Sequence, residues 1–397
     1  MNFYQGETSS QLPTKRLVSI DILRGLVMVL MVLDHVRTFF SNVGFQATDL
    51  TQTTVPLFLT RWITHLCAPS FVFLAGIAVY LYSVRRQPSR QELSKYLIIR
   101  GLLLIFLELT IVRFAWIFEP TYTFSLAGVL WAIGWSMMFL AILIYLPLRV
   151  IAGIGILLIF GHNLFDPIQA EQLGKWGGIW AILHEQKMLT VFPGKNLFIS
   201  YPLIPWIGVI AIGYVFGTVF TLEKSRRLQL LWRWGLGCVA GFLVLRFLNI
   251  YGDPEPWSVQ ANLANTILSF INCHKYPPSL LYLLMTLGPA LLLLYLFEKY
   301  SIKFLKPLII FGQAPLFFYI VHLWLIHLSA ILLALPKYGL KAIFFPFVVS
   351  RLMPVDYGYD LPKIYSLWII MIVLLYPICH WFLTYKRNSQ KWWLKSF

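Results

Sequence analysis

Residues 19–40 read SIDILRGLVMVLMVLDHVRTFF, an apolar run that carries Asp21, Arg24, Asp34, His35 and Arg37. An ionisable group inside an apolar helix is costly unless it is paired or wet, so it is a functional candidate by default. At 100° per residue, Arg24 and His35 lie about 20° apart around the helix and Asp21 about 60° from Arg24. These three therefore form one stripe, with Met28 and Met31 between them. The rise from Arg24 to His35 is about 16 Å. Asp34 falls off the stripe and is expected to face elsewhere. Imidazole in such a setting serves as a general base or as a nucleophile. The structural alternative for Asp21 and Arg24 is an i,i+3 pair that closes the helix start.

A second polar set follows in LFLTRWITHLCAPSFVFLAG, where Arg61 and His65 are four residues apart and are expected to share a helix face. Counted from the same end of the bundle, His65 lies at a depth similar to His35. Pro69 and Gly76 predict a kink or a close helix approach. In GQAPLFFYIVHLWLIHLSA, His322 and His327 are five apart, so only one of them can face a common site, and His322 is the better placed. Glu108 is a carboxylate in the middle of an apolar run, a candidate partner for a basic group that the sequence does not name. Lys275 and His184, in polar connecting segments, are candidate contacts for a substrate. The cysteines Cys67, Cys238, Cys273 and Cys379 are far apart in sequence, with no CxxC and no metal-ligand spacing, so no metal site is expected. No Walker loop, HExxH or GxSxG is present.

Composition says what must hold these residues. Of 397 residues, 59% are hydrophobic and 12% charged, against roughly 25% charged in a soluble domain. An integral membrane protein follows. The net charge of +16 does not indicate nucleic acid, because Lys and Arg stand in short clusters between apolar runs. The polar first sixteen residues lack the order of a cleaved signal, so the first apolar run is expected to remain as an anchor. About ten runs are long enough to span a bilayer: 17–40, 57–84, 95–118, 126–146, 148–164, 202–221, 228–249, 277–297, 307–334 and 364–384. The expected fold is all-α, a bundle of about ten transmembrane helices, with residues 1–397 as one domain. Lys15 and Arg16, Arg85 to Lys95, Arg149, Lys224 to Arg227, Lys299 to Lys306 and Lys386 to Lys395 alternate with longer loops poorer in Lys and Arg. The positive-inside rule then puts both termini in the cytoplasm of a multi-pass plasma or inner membrane protein.

The stretch RLVSIDILRGLVMVLMVLDH at 16–35 resembles the first helix of the heparan-α-glucosaminide N-acetyltransferase family, including its bacterial branch. PSFVFLAG at 69–76, GVLWAIG at 128–134, DPEPW at 253–257, KYPPSLLYLLMTLGP at 275–289 and FFYIVH at 317–322 match in the same order. The Asp-x-x-Arg-Gly start, with a His about a dozen residues on, is also similar to a wider superfamily of membrane acyltransferases. The resemblance implies a cytoplasmic acyl-CoA donor, acetyl-CoA above all, an acceptor on the far side and a reactive histidine there. Lysosomal members carry that histidine in the loop after the first helix. This sequence has none between His35 and His65, so the wider superfamily pattern points to His35.

The expected protein is thus a membrane acyltransferase acting on an extracytoplasmic glycan or glycolipid. His35 serves as base or acyl carrier, with Asp34, His65 and His322 around it. Asp21 and Arg24 face the donor, and Arg61, His184 and Lys275 face the acceptor. The alternatives are a proton-coupled transporter, since buried His, Asp and Glu also build proton relays, and a scaffold whose charges only pair helices. Partners are the bilayer and the acceptor, with a homodimer among the assemblies the sequence allows.

Overall fold

The computed structural model describes residues 16–300, 303–347, 352–389 and 391. Lys15 and Lys395 of the charge pattern lie outside them. In chain order the helices are α1 (Val18–Phe40), α2 (Val55–Ile63), α3 (Cys67–Arg86), α4 (Arg90–Leu107), α5 (Arg113–Ile117), α6 (Val129–Leu143), α7 (Leu148–Gly161) and α8 (Gly177–His184). They continue with α9 (Leu203–Phe216), α10 (Lys224–Leu248), α11 (Leu263–Ile271), α12 (Leu280–Lys299), α13 (Lys306–Gln313), α14 (Pro315–Tyr338) and α15 (Leu361–Asn388). Each of the ten apolar runs is helical. By length and composition, seven helical segments among the described residues are apolar enough to cross a membrane. The others fall short for visible reasons. α1 carries four charges, α4 begins with a polar turn, and α6 has 15 residues.

α1 is the axis of the bundle and packs against α3, α12, α13, α14 and α15. Its approach to α13 is backbone on backbone: a Cβ on Gly25 would fall 2.0 Å from the Leu308 carbonyl oxygen, and one on Gly312 would fall 1.9 Å from that of Asp21. α9 lies inside, against α3, α6 and α7, whereas α10 and α15 turn most of their surface outward. That outward surface is apolar, as a lipid-facing helix requires.

Three of the expected runs are interrupted, two of them at a proline. Between α2 and α3 the residues Thr64–Leu66 tighten into a 3₁₀ turn. Pro69 has no N–H to give the His65 carbonyl four residues back; the Tyr282 hydroxyl donates to that carbonyl instead, at 2.9 Å. Between α4 and α5, Glu108–Val112 widens into a π-helical turn. The run 307–334 is two helices, because Ala314, the residue before Pro315, leaves the helical region (φ −128°, ψ 53°).

The connections at one end of the bundle also form structure that the helical reading omits. β1 (Phe124–Ala127) pairs parallel with β3 (Lys195–Ile199), and β3 pairs antiparallel with β2 (Lys187–Phe192). This small sheet lies over the same end as the 41–54 and 250–279 segments, which is called the loop end below. The opposite end is held by Ser19 and Arg227, which both donate to Glu298, and by Arg387, which donates to Gln313.

Candidate active site

A cavity of about 440 Å³ opens beneath the sheet at the loop end. α1 supplies Asp34, His35, Arg37 and Thr38, and α2 with its 3₁₀ turn supplies Arg61 and Thr64. Lys275 and Tyr276 come from the segment before α12, Tyr319 from α14, and Glu108 from the π turn. A second cavity of about 240 Å³ lies below it, lined by Arg24, Arg100, Tyr82, Tyr96 and apolar side chains. Met31, Phe71, Val129 and Tyr319 belong to the walls of both. The two therefore adjoin along α1, with Arg24 and Arg100 at one end and His35, Arg37 and Arg61 at the other.

His35 Nδ1 and His322 Nε2 are 2.7 Å apart. His322 Nδ1 is 3.0 Å from the Phe318 carbonyl oxygen, which can only accept. His322 therefore carries its proton on Nδ1, and its Nε2 accepts. It follows that His35 donates from Nδ1, which leaves Nε2 with a free lone pair. Trp116 stands edge-on to the His35 ring, with centroids 4.8 Å apart, and limits its rotation. His322 itself is wholly buried behind His35.

Asp34 accepts from Arg37 at 3.0 Å and from Arg61. The expectation that it faces away from His35 is corrected here. Residues 100° apart around a helix both reach a cavity this wide, and the two arginines hold Asp34 in its wall. Arg37, Arg61 and Lys275 outnumber the carboxylates Asp34 and Glu108, so the wall is net positive. Glu108 Oε2 accepts from the Leu130 N–H at 2.8 Å, in the first turn of α6. A carboxylate is stabilised there by the helix dipole and the unpaired N–H groups. Gly128 makes room for it, since a Cβ there would lie 2.5 Å from Oε1.

The remaining expected site residues are placed as follows. Arg24 lines the lower cavity, lies 3.5 Å from Asp21 and donates to the Gly312 carbonyl at 3.0 Å. Asp21 is buried and also bonds Arg16 at 2.5 Å. His65 does not line the cavity, and its expected common face with Arg61 is lost. In the 3₁₀ turn the eclipsed pair is i,i+3, so Thr64 takes the place beside Arg61, and its hydroxyl donates to the Arg61 carbonyl at 2.7 Å. His65 is turned into the protein against Tyr282. His184 is also outside the cavity, buried beside His162 and Asp166. His327 bonds the Ala115 carbonyl at 2.8 Å and stacks on Phe118. Tyr319 and Trp116 were not singled out from sequence. The only signal for Tyr319 was its place three residues before His322 in FFYIVH.

A polytopic helical membrane protein whose cavity is lined by charged side chains and by the front member of a histidine pair is the class that fold and site define. Residues 16–250 match the model of the family described as heparan-alpha-glucosaminide N-acetyltransferase, catalytic. The chain belongs to that family, one of membrane acetyltransferases. No curated protein matches the chain.

Proposed function

We propose that the protein transfers an acetyl group from acetyl-CoA on the cytoplasmic side to a hydroxyl or amine of a glycan or glycolipid on the far side. The observation that carries this reading is the relay from the Phe318 carbonyl through His322 to His35, which leaves His35 Nε2 as a base at the cavity wall. The acceptor gives its proton to Nε2 as its oxygen or nitrogen attacks the thioester carbonyl. His322 Nε2 accepts from the resulting imidazolium and stabilises it. Arg61, Arg37 and Lys275 surround the position where the tetrahedral oxyanion forms. Collapse of that intermediate breaks the C–S bond, and the imidazolium returns the proton to the leaving thiolate. Arg24, about 16 Å below His35 along α1, and Arg100 of α4 in the same cavity wall suit the phosphates of the nucleotide end, and the apolar wall between the cavities suits a pantetheine arm.

The test is reconstitution in proteoliposomes with acetyl-CoA on one side only and an amino sugar or glycolipid acceptor on the other. Acetylated acceptor is expected to form when the donor faces the Arg24 side. His35→Ala should lower the rate by about 10² to 10⁴-fold, the usual worth of a general base. Transfer at the normal rate by His35→Ala would overturn the assignment.

A further inference from the structure

A second group of chemistry-bearing side chains lies at the loop end, outside the cavity. His162 stands at the end of α7, Asp166 caps the 3₁₀ turn that follows, and His184 is the last residue of α8. One ligand atom from each can be chosen so that all three lie within 4.8 Å of one another. His162 and His184 are 1% and 3% exposed. Neither ring makes a well-formed hydrogen bond through either nitrogen. The Pro278 carbonyl lies near His162, and His184 Nε2 is 3.2 Å from Asp166 Oδ1. Beyond these two imperfect contacts the buried ring nitrogens have no partner, a costly arrangement for a protein interior.

We propose that His162, Asp166 and His184 hold a divalent transition metal, zinc in the first instance. Two imidazoles and one carboxylate form a borderline-soft donor set that zinc accepts, with a fourth position for water. Metal–ligand bonds of about 2.0–2.2 Å place tetrahedral neighbours about 3.3 Å apart. The His184–Asp166 separation of 3.2 Å already matches that edge, and a set of ligand atoms from all three residues lies within 4.8 Å. The position favours a cation, because His184 is the last residue of α8, at its carbonyl end. Asp166 is oriented from behind, with Oδ2 accepting from the Asn163 amide at 2.9 Å. Such carboxylate bracing is typical of metal ligands. Asn163 Oδ1 in turn accepts from the Leu280 N–H at 2.9 Å, at the start of α12 and close in sequence to Lys275 and Tyr276 of the cavity wall. The metal thus staples α7 and α8 to the segment that closes the candidate active site.

The experiment uses full-length protein in detergent or nanodiscs, stripped with a chelator and titrated with Zn²⁺ or Co²⁺. Elemental analysis should return one zinc per chain, and Co²⁺ should give the intense visible bands of a tetrahedral site. Chelation should lower the thermal midpoint by about 5 °C or more, and Zn²⁺ should restore it. His184→Ala should abolish stoichiometric uptake. Asp166→Asn keeps the shape and should weaken binding by at least about tenfold, which covers the case in which the alanine variant fails to fold. Equal metal uptake by the unchanged protein and by folded Asp166→Asn, or a midpoint indifferent to chelation, would overturn the proposal.

Discussion

At the scale of single residues, the histidine pair makes the sharpest prediction. If His322 fixes the tautomer of His35, His322→Ala removes the acceptor for Nδ1–H and frees the ring to flip. Its transfer rate should fall by roughly 10²-fold, with KM for acetyl-CoA little changed. Adding His322→Ala to His35→Ala should cost almost nothing more, because members of one catalytic unit are not additive. A double variant much slower than His35→Ala alone would show that His322 acts independently. The sequence already held part of this. His322 was the better placed of the two histidines in α14, and the cost of idle charge singled out His35, Asp34 and Arg61. Tautomers are not legible in sequence, because they depend on a carbonyl four residues back and on a ring 287 positions away. His65 was misplaced for a different reason. Spacing of four implies a common face only in an α-helix, and Thr64–Leu66 is not one.

At the scale of elements, helix positions were readable from apolar runs, and helix interruptions only where proline marks them. Pro69 and Pro315 announce two of the three breaks. The π turn has no such sign: it opens at Glu108, whose carboxylate accepts from the Leu130 N–H at the start of α6. All three interrupted stretches contribute to cavity walls, with Thr64, Glu108 and Pro315. Irregular backbone at membrane depth is tolerated where it is buried or lines a wet space. The α1–α13 contact should be the most sensitive in the bundle. A Cβ on Gly312 meets backbone 1.9 Å away, which no side-chain rotation relieves. Gly312→Ala should therefore destabilise by about 1–3 kcal/mol or more, read as a lower thermal midpoint in detergent. It should also weaken acetyl-CoA binding, because Arg24 bonds the Gly312 carbonyl. Gly153→Ala, with nothing within 4 Å of the new methyl, is the control and should leave the midpoint unchanged or higher.

At the scale of the whole molecule, the two ends of the bundle differ in charge and in build. The end that joins Ser19, Glu298 and Arg227 also carries Arg85, Arg86, Lys224 and Arg226 in short connections. The loop end is longer, carries the sheet, and sets several of its lysines against acids, as with Lys187 and Glu171 or Lys337 and Asp356. Lys and Arg in short loops bias those loops to the cytoplasm. The first end, nearest Arg24 and Arg100, should thus face the cytoplasmic donor, and the cavity under the sheet should face the acceptor. Val259, 80% exposed in the 250–276 segment, and Arg226, exposed at the first end, report the two sides. In intact cells an impermeant maleimide should label Val259→Cys at once and Arg226→Cys only after permeabilisation. Background from the native thiols should be low, because Cys67, Cys273 and Cys379 are buried and Cys238 is partly so. The opposite pattern would turn the protein over in the membrane. The His35–His322 relay would survive that result, but the direction of transfer would not, since the arginines would then meet a compartment without acetyl-CoA.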